Sequence, residues 1–167
     1  MEIRIAGTVQ DSIVDGPGLR YVVFTQGCPH HCEGCHNPET HDFSGGKLTD
    51  TDKLYDECVE NPLTRGVTFS GGEPFCQAEA LYELGSRLKQ RGLHLMAYSG
   101  WTFEELVKKS EHEEYVGKLL SILDVLVDGR FELQKRSLML KYRGSENQRI
   151  VDVQKSLAEN CVTEVEI

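Results

Sequence analysis

The chain has 167 residues, 39% of them hydrophobic and 27% charged, which is the balance of an ordinary globular protein and excludes a disordered one. Its 27 Asp and Glu outnumber 18 Lys and Arg, and a net charge of −9 lacks the basic face that broad nucleic-acid binding requires. No run approaches the ~18 apolar residues of a membrane span, and Met1-Glu2-Ile3-Arg4-Ile5-Ala6 lacks the apolar stretch of a signal peptide. The expectation is a cytoplasmic protein without membrane or nucleic-acid partners, built as a single domain over residues 1–167.

In chain order, the amino-terminal stretch reads as a strand that breaks at Asp15-Gly16-Pro17-Gly18, where Gly and Pro supply the backbone angles of a tight turn. Leu19 to Gln26 carries Tyr-Val-Val-Phe-Thr and reads as a buried strand. It delivers the chain into Gly27-Cys28-Pro29-His30-His31-Cys32-Glu33-Gly34-Cys35-His36-Asn37. Asp42 to Lys47 reads as loop. Thr49 or Asp50 can cap a helix to about Asn61, with Leu54, Tyr55, Cys58 and Val59 along one side and Pro62 as its stop. Gly66 to Phe69 is a short strand entering Ser70-Gly71-Gly72-Glu73-Pro74. A helix follows from about Gln77 to Arg91, with Leu81, Leu84 and Leu88 at helical spacing and Gly92 as its end. Leu93 to Tyr98 is a strand, and Ser99-Gly100-Trp101-Thr102 is a loop. Helical pieces near Phe103–Lys109 and Glu113–Leu123 precede a strand at Val125-Leu126-Val127, which ends in Asp128-Gly129-Arg130. Tyr142 to Val153 reads as a polar turn and then a strand, and Cys161 to Ile167 as an edge strand. Alternation of strands and helices favours a mainly parallel α/β sheet.

Chemistry concentrates at the strand ends, where ligands gather in such sheets. Cys28, Cys32 and Cys35 follow the pattern Cys-x3-Cys-x2-Cys and offer three thiolates from one loop. A 4Fe-4S cube is normally held by four cysteinates. Three ligands leave one iron open, as catalytic metal positions are. The alternative reading is a Cys3His zinc-binding interaction module using His30, His31, His36 or His41, although zinc sites usually space their ligands as two close pairs. A disulfide framework has neither partners nor an oxidising compartment to support it. Gly71 and Gly72 let backbone approach a ligand without Cβ atoms in the way, and Glu73 can accept hydrogen bonds from a ligand ammonium group. By itself Gly-Gly-Glu-Pro is also an ordinary strand-to-helix turn. Cys58 and Cys161 read as core thiols, Cys76 as a packed thiol or a neighbour of the site, and Trp101 as pocket wall or core cap. Arg130, Lys135, Arg136, Lys141, Arg143 and Arg149 form a locally basic stretch that is solvated by default.

The cysteine triplet together with Gly71-Gly72-Glu73-Pro74 resembles the radical S-adenosylmethionine enzymes. The entry segment Val14-Asp15-Gly16-Pro17-Gly18-Leu19-Arg20 and the exit Cys35-His36-Asn37 resemble the glycyl-radical-enzyme activases within them. Asp124 to Phe131 and Tyr142 to Arg149 look like those serving the anaerobic ribonucleoside-triphosphate reductase. The resemblance implies an incomplete TIM-type β/α barrel. It implies that Cys28, Cys32 and Cys35 ligate a 4Fe-4S cluster whose open iron chelates S-adenosylmethionine, with Gly71, Gly72 and Glu73 at the cofactor's amino group. Asp128 and Arg130 would lie near its methionine end. Gly34 stands where many family members place an aromatic residue, so main chain around Gly34 and His36 would meet the adenine. The implied reaction is reductive cleavage to a 5′-deoxyadenosyl radical, which abstracts a Cα hydrogen from a glycine of the reductase. The electron would come from flavodoxin or a similar donor. The rivals within this chemistry are an activase of another glycyl-radical enzyme and a radical enzyme acting on a small molecule.

Overall fold

The computed structural model describes residues 1–167. Seven strands form one sheet: β1 (Glu2–Ser12), β2 (Arg20–Thr25), β3 (Lys47–Asp50), β4 (Gly66–Gly71), β5 (His94–Ser99), β6 (Val125–Asp128) and β7 (Arg149–Asp152). Their order is β3-β1-β2-β4-β5-β6-β7. The central strands β2, β4, β5 and β6 are parallel, whereas β1, β3 and β7 pair antiparallel at the two sides.

Each parallel strand lies beside the next one in the chain. Crossovers in such units are right-handed, so successive connections that step the same way leave their helices on the same face. These connections contain α1 (Thr51–Glu60), α2 (Ala78–Gln90), α3 (Phe103–Lys109) and α4 (Glu114–Ile122). Strand periodicity agrees. Tyr21, Val23, Val67, Phe69, Leu95, Ala97 and Leu126 share the main core with Leu54, Leu81, Leu84, Leu88, Leu106 and Leu119 of the helices. The intervening residues Met96, Val125 and Val127 form a separate small cluster with Tyr98, Tyr142 and Ile150 on the opposite face. A stepped parallel centre with antiparallel strands at both sides and one helical face is the incomplete β/α barrel that the resemblance implied.

Local chemistry sets the element ends. Asp50 caps α1 by accepting from the Asp52 N–H, and Thr102 with Glu105 forms a reciprocal capping box on α3. Two readings change and one helix is added. Lys47–Asp50 is a strand, because it pairs with Glu2 to Ile5. The chain from Val153 to Glu159 is a helix, α5, opened by an Asp152 cap and closed by Asn160 in the left-handed conformation. Cys161 to Ile167 forms no strand, only one bridge from Glu164 to Val151.

On the inner face Arg20 is fully buried. It donates from Nε to Thr68 Oγ1 at 2.8 Å, and from its terminal nitrogens to the carbonyls of Pro17 at 2.9 Å, Val67 at 3.0 Å and His94 at 3.3 Å. Burial lowers its pKa to about 10, so it remains cationic at neutral pH and pins the Asp15–Gly18 turn to the sheet. On the outer face Cys58 is 1% exposed, and burial holds its thiol far above the ordinary 9.0. The neutral thiol's contribution to stability is therefore intact below about pH 9 and is lost as pH rises further. Cys161 and Cys76, by contrast, are exposed, which corrects their reading as packed thiols. At about pH 8, iodoacetamide should label Cys161 readily while Cys58 stays unmodified until the chain unfolds. Equal labelling of the two in the native protein, read by peptide mass spectrometry, would contradict this packing.

Candidate active site

The cysteine loop leaves the end of β2 and is closed at its base. Gly27 N–H donates to Thr40 O at 2.7 Å and Cys28 N–H to His41 O at 3.2 Å. The Gln26 amide spans the same opening, donating to Glu39 O at 2.9 Å and Asp42 O at 2.7 Å. Within the loop, Cys35 N–H donates to Cys32 O at 3.3 Å, and Asn37 N–H reaches Cys35 Sγ at 3.4 Å. The three cysteines are free thiols, with Cys28 buried and Cys32 and Cys35 half-buried.

These thiols fit an iron–sulfur cluster in two respects. Burial, followed by the charges of Glu73, Cys32 and Cys35, pushes the Cys28 thiol up to about 11, and burial and Cys35 raise Cys32 as well. Three thiolates in one another's field need a bound cation to coexist, which is what a metal centre supplies. All three donors are thiol sulfurs offered from one loop, the soft ligands that iron–sulfur clusters take.

The second segment is stitched onto the base of the first. Gly72 N–H donates to Thr25 O and Glu73 N–H to Gly27 O, both at 2.8 Å. Gly71 has φ +98°, and a Cβ on Gly72 would lie 2.4 Å from Gly27 O and 2.9 Å from Thr40 O. These neighbours are backbone atoms that cannot swing aside. Gly72→Ala should therefore cost roughly 3 kcal/mol, measured as a lowered midpoint of urea unfolding; an unchanged midpoint would show that the two segments are not in contact.

Glu73 is fully buried. Its Oε1 accepts from His30 Nε2 at 2.7 Å, Gly100 N–H at 2.8 Å and Ser99 Oγ at 2.9 Å, and its Oε2 accepts from Phe75 N–H at 3.0 Å. The carboxylate thus ties together the ends of β4 and β5 and the cysteine loop. Its acceptor capacity is taken up by protein donors. Trp101 is half-buried against the core and also meets the His30 ring edge-on, with centroids 4.7 Å apart.

At the end of β6, Asp128 is 1% exposed. It accepts from Phe103 N–H at 2.7 Å and from two nitrogens of Arg149 at 2.5 and 3.0 Å. Arg149 also binds Glu104, and these hydrogen bonds raise its pKa while lowering that of Glu104. The acid–base pair at this strand end is therefore Asp128 with Arg149. Arg130 instead donates from Nε to His30 Nδ1 at 3.3 Å. Asp128, Arg130 and Arg149 line a cavity of about 320 Å³.

A larger cavity of about 730 Å³ opens on the inner face of the sheet, lined by Cys35, His36, Gly71, Asp15, Tyr98, Phe131, Tyr142 and Arg143 among others. His36 packs against Phe131 at 4.8 Å between centroids. Gly34 faces away from the cavity toward Leu133, whose Cδ1 would lie 2.8 Å from a Cβ there. The structure therefore brings Cys35, His36 and Gly71 onto one wall, places Glu73 behind it, and sets Asp128 and Arg130 in the adjoining hollow. Sequence reasoning missed His30 and Arg149 as parts of this assembly, and Tyr98 as cavity wall.

Residues 14–151 match the protein family described as a 4Fe-4S single cluster domain. The anaerobic ribonucleoside-triphosphate reductase-activating protein of Vibrio cholerae is 34% identical over 83% of this chain and 90% of its own length. That of Enterobacteria phage T4 is also 34% identical, over 82% of this chain and 86% of its own. The pyruvate formate-lyase-activating enzyme of Clostridium pasteurianum is 37% identical over 75% of this chain, which spans only 55% of that longer protein. Among solved structures, QueE from Escherichia coli overlaps 60% of this chain and 53% of its own at a TM-score of 0.49 and 18% identity. With most of its length matched to relatives of its own size, this chain belongs to the anaerobic ribonucleoside-triphosphate reductase-activating proteins, within the 4Fe-4S single cluster family.

Proposed function

We propose that the protein activates the anaerobic ribonucleoside-triphosphate reductase by generating a glycyl radical on it, with Cys28, Cys32 and Cys35 holding a 4Fe-4S cluster and S-adenosylmethionine occupying the cavity beside it. The observation that carries this reading is the closed cysteine loop opening, through Cys35 and His36, onto the same cavity as Gly71. When bound, the cluster and S-adenosylmethionine supply one-electron cleavage of a sulfonium bond and, from it, a hydrogen-abstracting group.

The chain's own residues do the rest. A Cβ on Gly71 would strike Thr25 N at 2.5 Å and Thr25 O at 2.6 Å, so glycine there lets the end of β4 lie against β2 and keeps its main chain at the cavity wall. Met96, Val125 and Val127 are buried beside the cavity wall, and such apolar packing keeps water from a reactive centre. The cavity is open at the strand ends, and its rim carries Val14 at 72% and Leu138 at 91% exposure, room for an extended segment of another protein rather than an enclosed metabolite. A glycine suits that position because it has no side chain to hold its Cα away from the cavity. The reducing electron would come from flavodoxin or a similar low-potential donor, and a reduced cytoplasm would keep the three thiols free. No helix is long and apolar enough to cross a membrane.

The experiment combines the reduced, anaerobic protein with S-adenosylmethionine and the glycyl-radical subunit of the reductase. A glycyl doublet in the electron paramagnetic resonance spectrum is the expected result. Active cofactor cleavage without a doublet would remove the reductase as target. The identity to the Clostridium enzyme favours a second acceptor, pyruvate formate-lyase, which belongs in a parallel sample.

A further inference from the structure

We propose that His30 is a positioning residue, a latch through which the buried Glu73 carboxylate holds the cysteine loop against the strand ends. The inference rests on reading Cys28, Cys32 and Cys35 as the cluster ligands. Residues 29–34 form no backbone–backbone hydrogen bond with anything outside the loop; their one such bond is Cys35 to Cys32. Pro29, His31, Glu33 and Gly34 are all exposed. The His30 side chain, between the first and second cysteines, is 4% exposed and points inward.

Its surroundings fix both its place and its tautomer. Arg130 can only donate, so its Nε contact at 3.3 Å makes His30 Nδ1 the acceptor and puts the ring proton on Nε2. That proton faces Glu73 Oε1 at 2.7 Å. Glu73 is itself immobile, because the Gly100 and Phe75 N–H groups and the Ser99 hydroxyl hold its oxygens. The seat is also shaped for the ring: a Cβ on Gly100 would stand 2.3 Å from His30 Cδ2. One imidazole thus joins the cysteine loop to the ends of β4, β5 and β6.

The test compares His30→Gln, which keeps a donor for Glu73, with His30→Phe, which keeps a flat ring against Trp101 but has none, and with His30→Ala. Two readouts apply to the full chain: alkylation of Cys28 in the metal-free protein, read by peptide mass spectrometry, and the rate at which reconstituted protein loses iron to a chelator. A charge-assisted bond predicts that Phe and Ala speed both processes about tenfold and that Gln stays near wild type. Wild-type behaviour of the Phe variant would assign the hold to ring packing and overturn the latch, as would a Gln variant no better than Phe. Should His30→Ala fail to fold, the Phe–Gln pair still decides. If wild-type protein takes up no iron, the cluster reading fails, while Cys28 alkylation still scores the latch.

Discussion

Cys32→Ala is expected to abolish cleavage of S-adenosylmethionine, whereas Cys58→Ala should leave it at the wild-type rate. The contrast follows from position rather than residue type. Cys32 is half-buried in a loop whose base is fastened and whose other two thiols share its field. If the three thiols are the cluster ligands, as proposed, removing one leaves a cube that two cysteinates must hold, fewer than iron–sulfur proteins use. Cys58 is 1% exposed on α1, inside the core, where it acts as a small apolar group. Its loss leaves a small cavity and costs about 1 kcal/mol of stability without touching the site. The assay is 5′-deoxyadenosine release from dithionite-reduced protein, alongside iron and sulfide analysis. Full activity in the Cys32 variant, or stoichiometric zinc in place of iron in the wild type, would overturn the assignment.

Glu73→Ala should be the most destabilising single change near the site, at about 3–5 kcal/mol, because it leaves buried donors without their charged acceptor. The Gly100 and Phe75 N–H groups have no other acceptor within the structure, and His30 loses the partner at 2.7 Å. Glu73→Gln should cost less, since its amide oxygen can serve one backbone donor while its NH2 group opposes another. Urea unfolding at pH 7 with an unchanged m-value would measure both. A double-mutant cycle with His30→Ala should show coupling of about 1 kcal/mol or more, as contacting pairs do. A cost below about 1 kcal/mol for Glu73→Ala would mean that the carboxylate is solvated rather than buried.

Much of this arrangement was legible in the sequence because local signals and chemistry coincided. β2, β4, β5 and β6 are apolar runs, and each ends in an unusual segment: Cys28 to Cys35, Gly71 to Glu73, Ser99-Gly100, and Asp128 to Arg130. Parallel strands in chain order put those ends together. What was hidden depends on residues far apart in sequence. Lys47–Asp50 is four half-exposed or exposed residues that become a strand only by pairing with β1. His30 stands among several histidines, and its partner Glu73 lies 43 residues away. Arg149 meets Asp128 across an antiparallel pair, a contact between positions 21 residues apart that no local motif announces. The helix at Val153–Glu159 is short, with only Val153 and Ser156 buried, too little for a visible apolar stripe.

The unclosed sheet has one further consequence. A full barrel has no edge strands, but this one keeps two, β3 and β7, whose unpaired peptide groups are templates for another chain. Both edges are blunted by their brevity, at four residues each. Both also carry charges of either sign: Lys47 and Asp50 on one, Arg149 and Asp152 on the other. On the β7 side the tail adds a bridge from Glu164 to Val151, capping part of the exposed ladder. The protein can therefore leave its barrel open for a partner without offering long adhesive edges along which its own copies would aggregate.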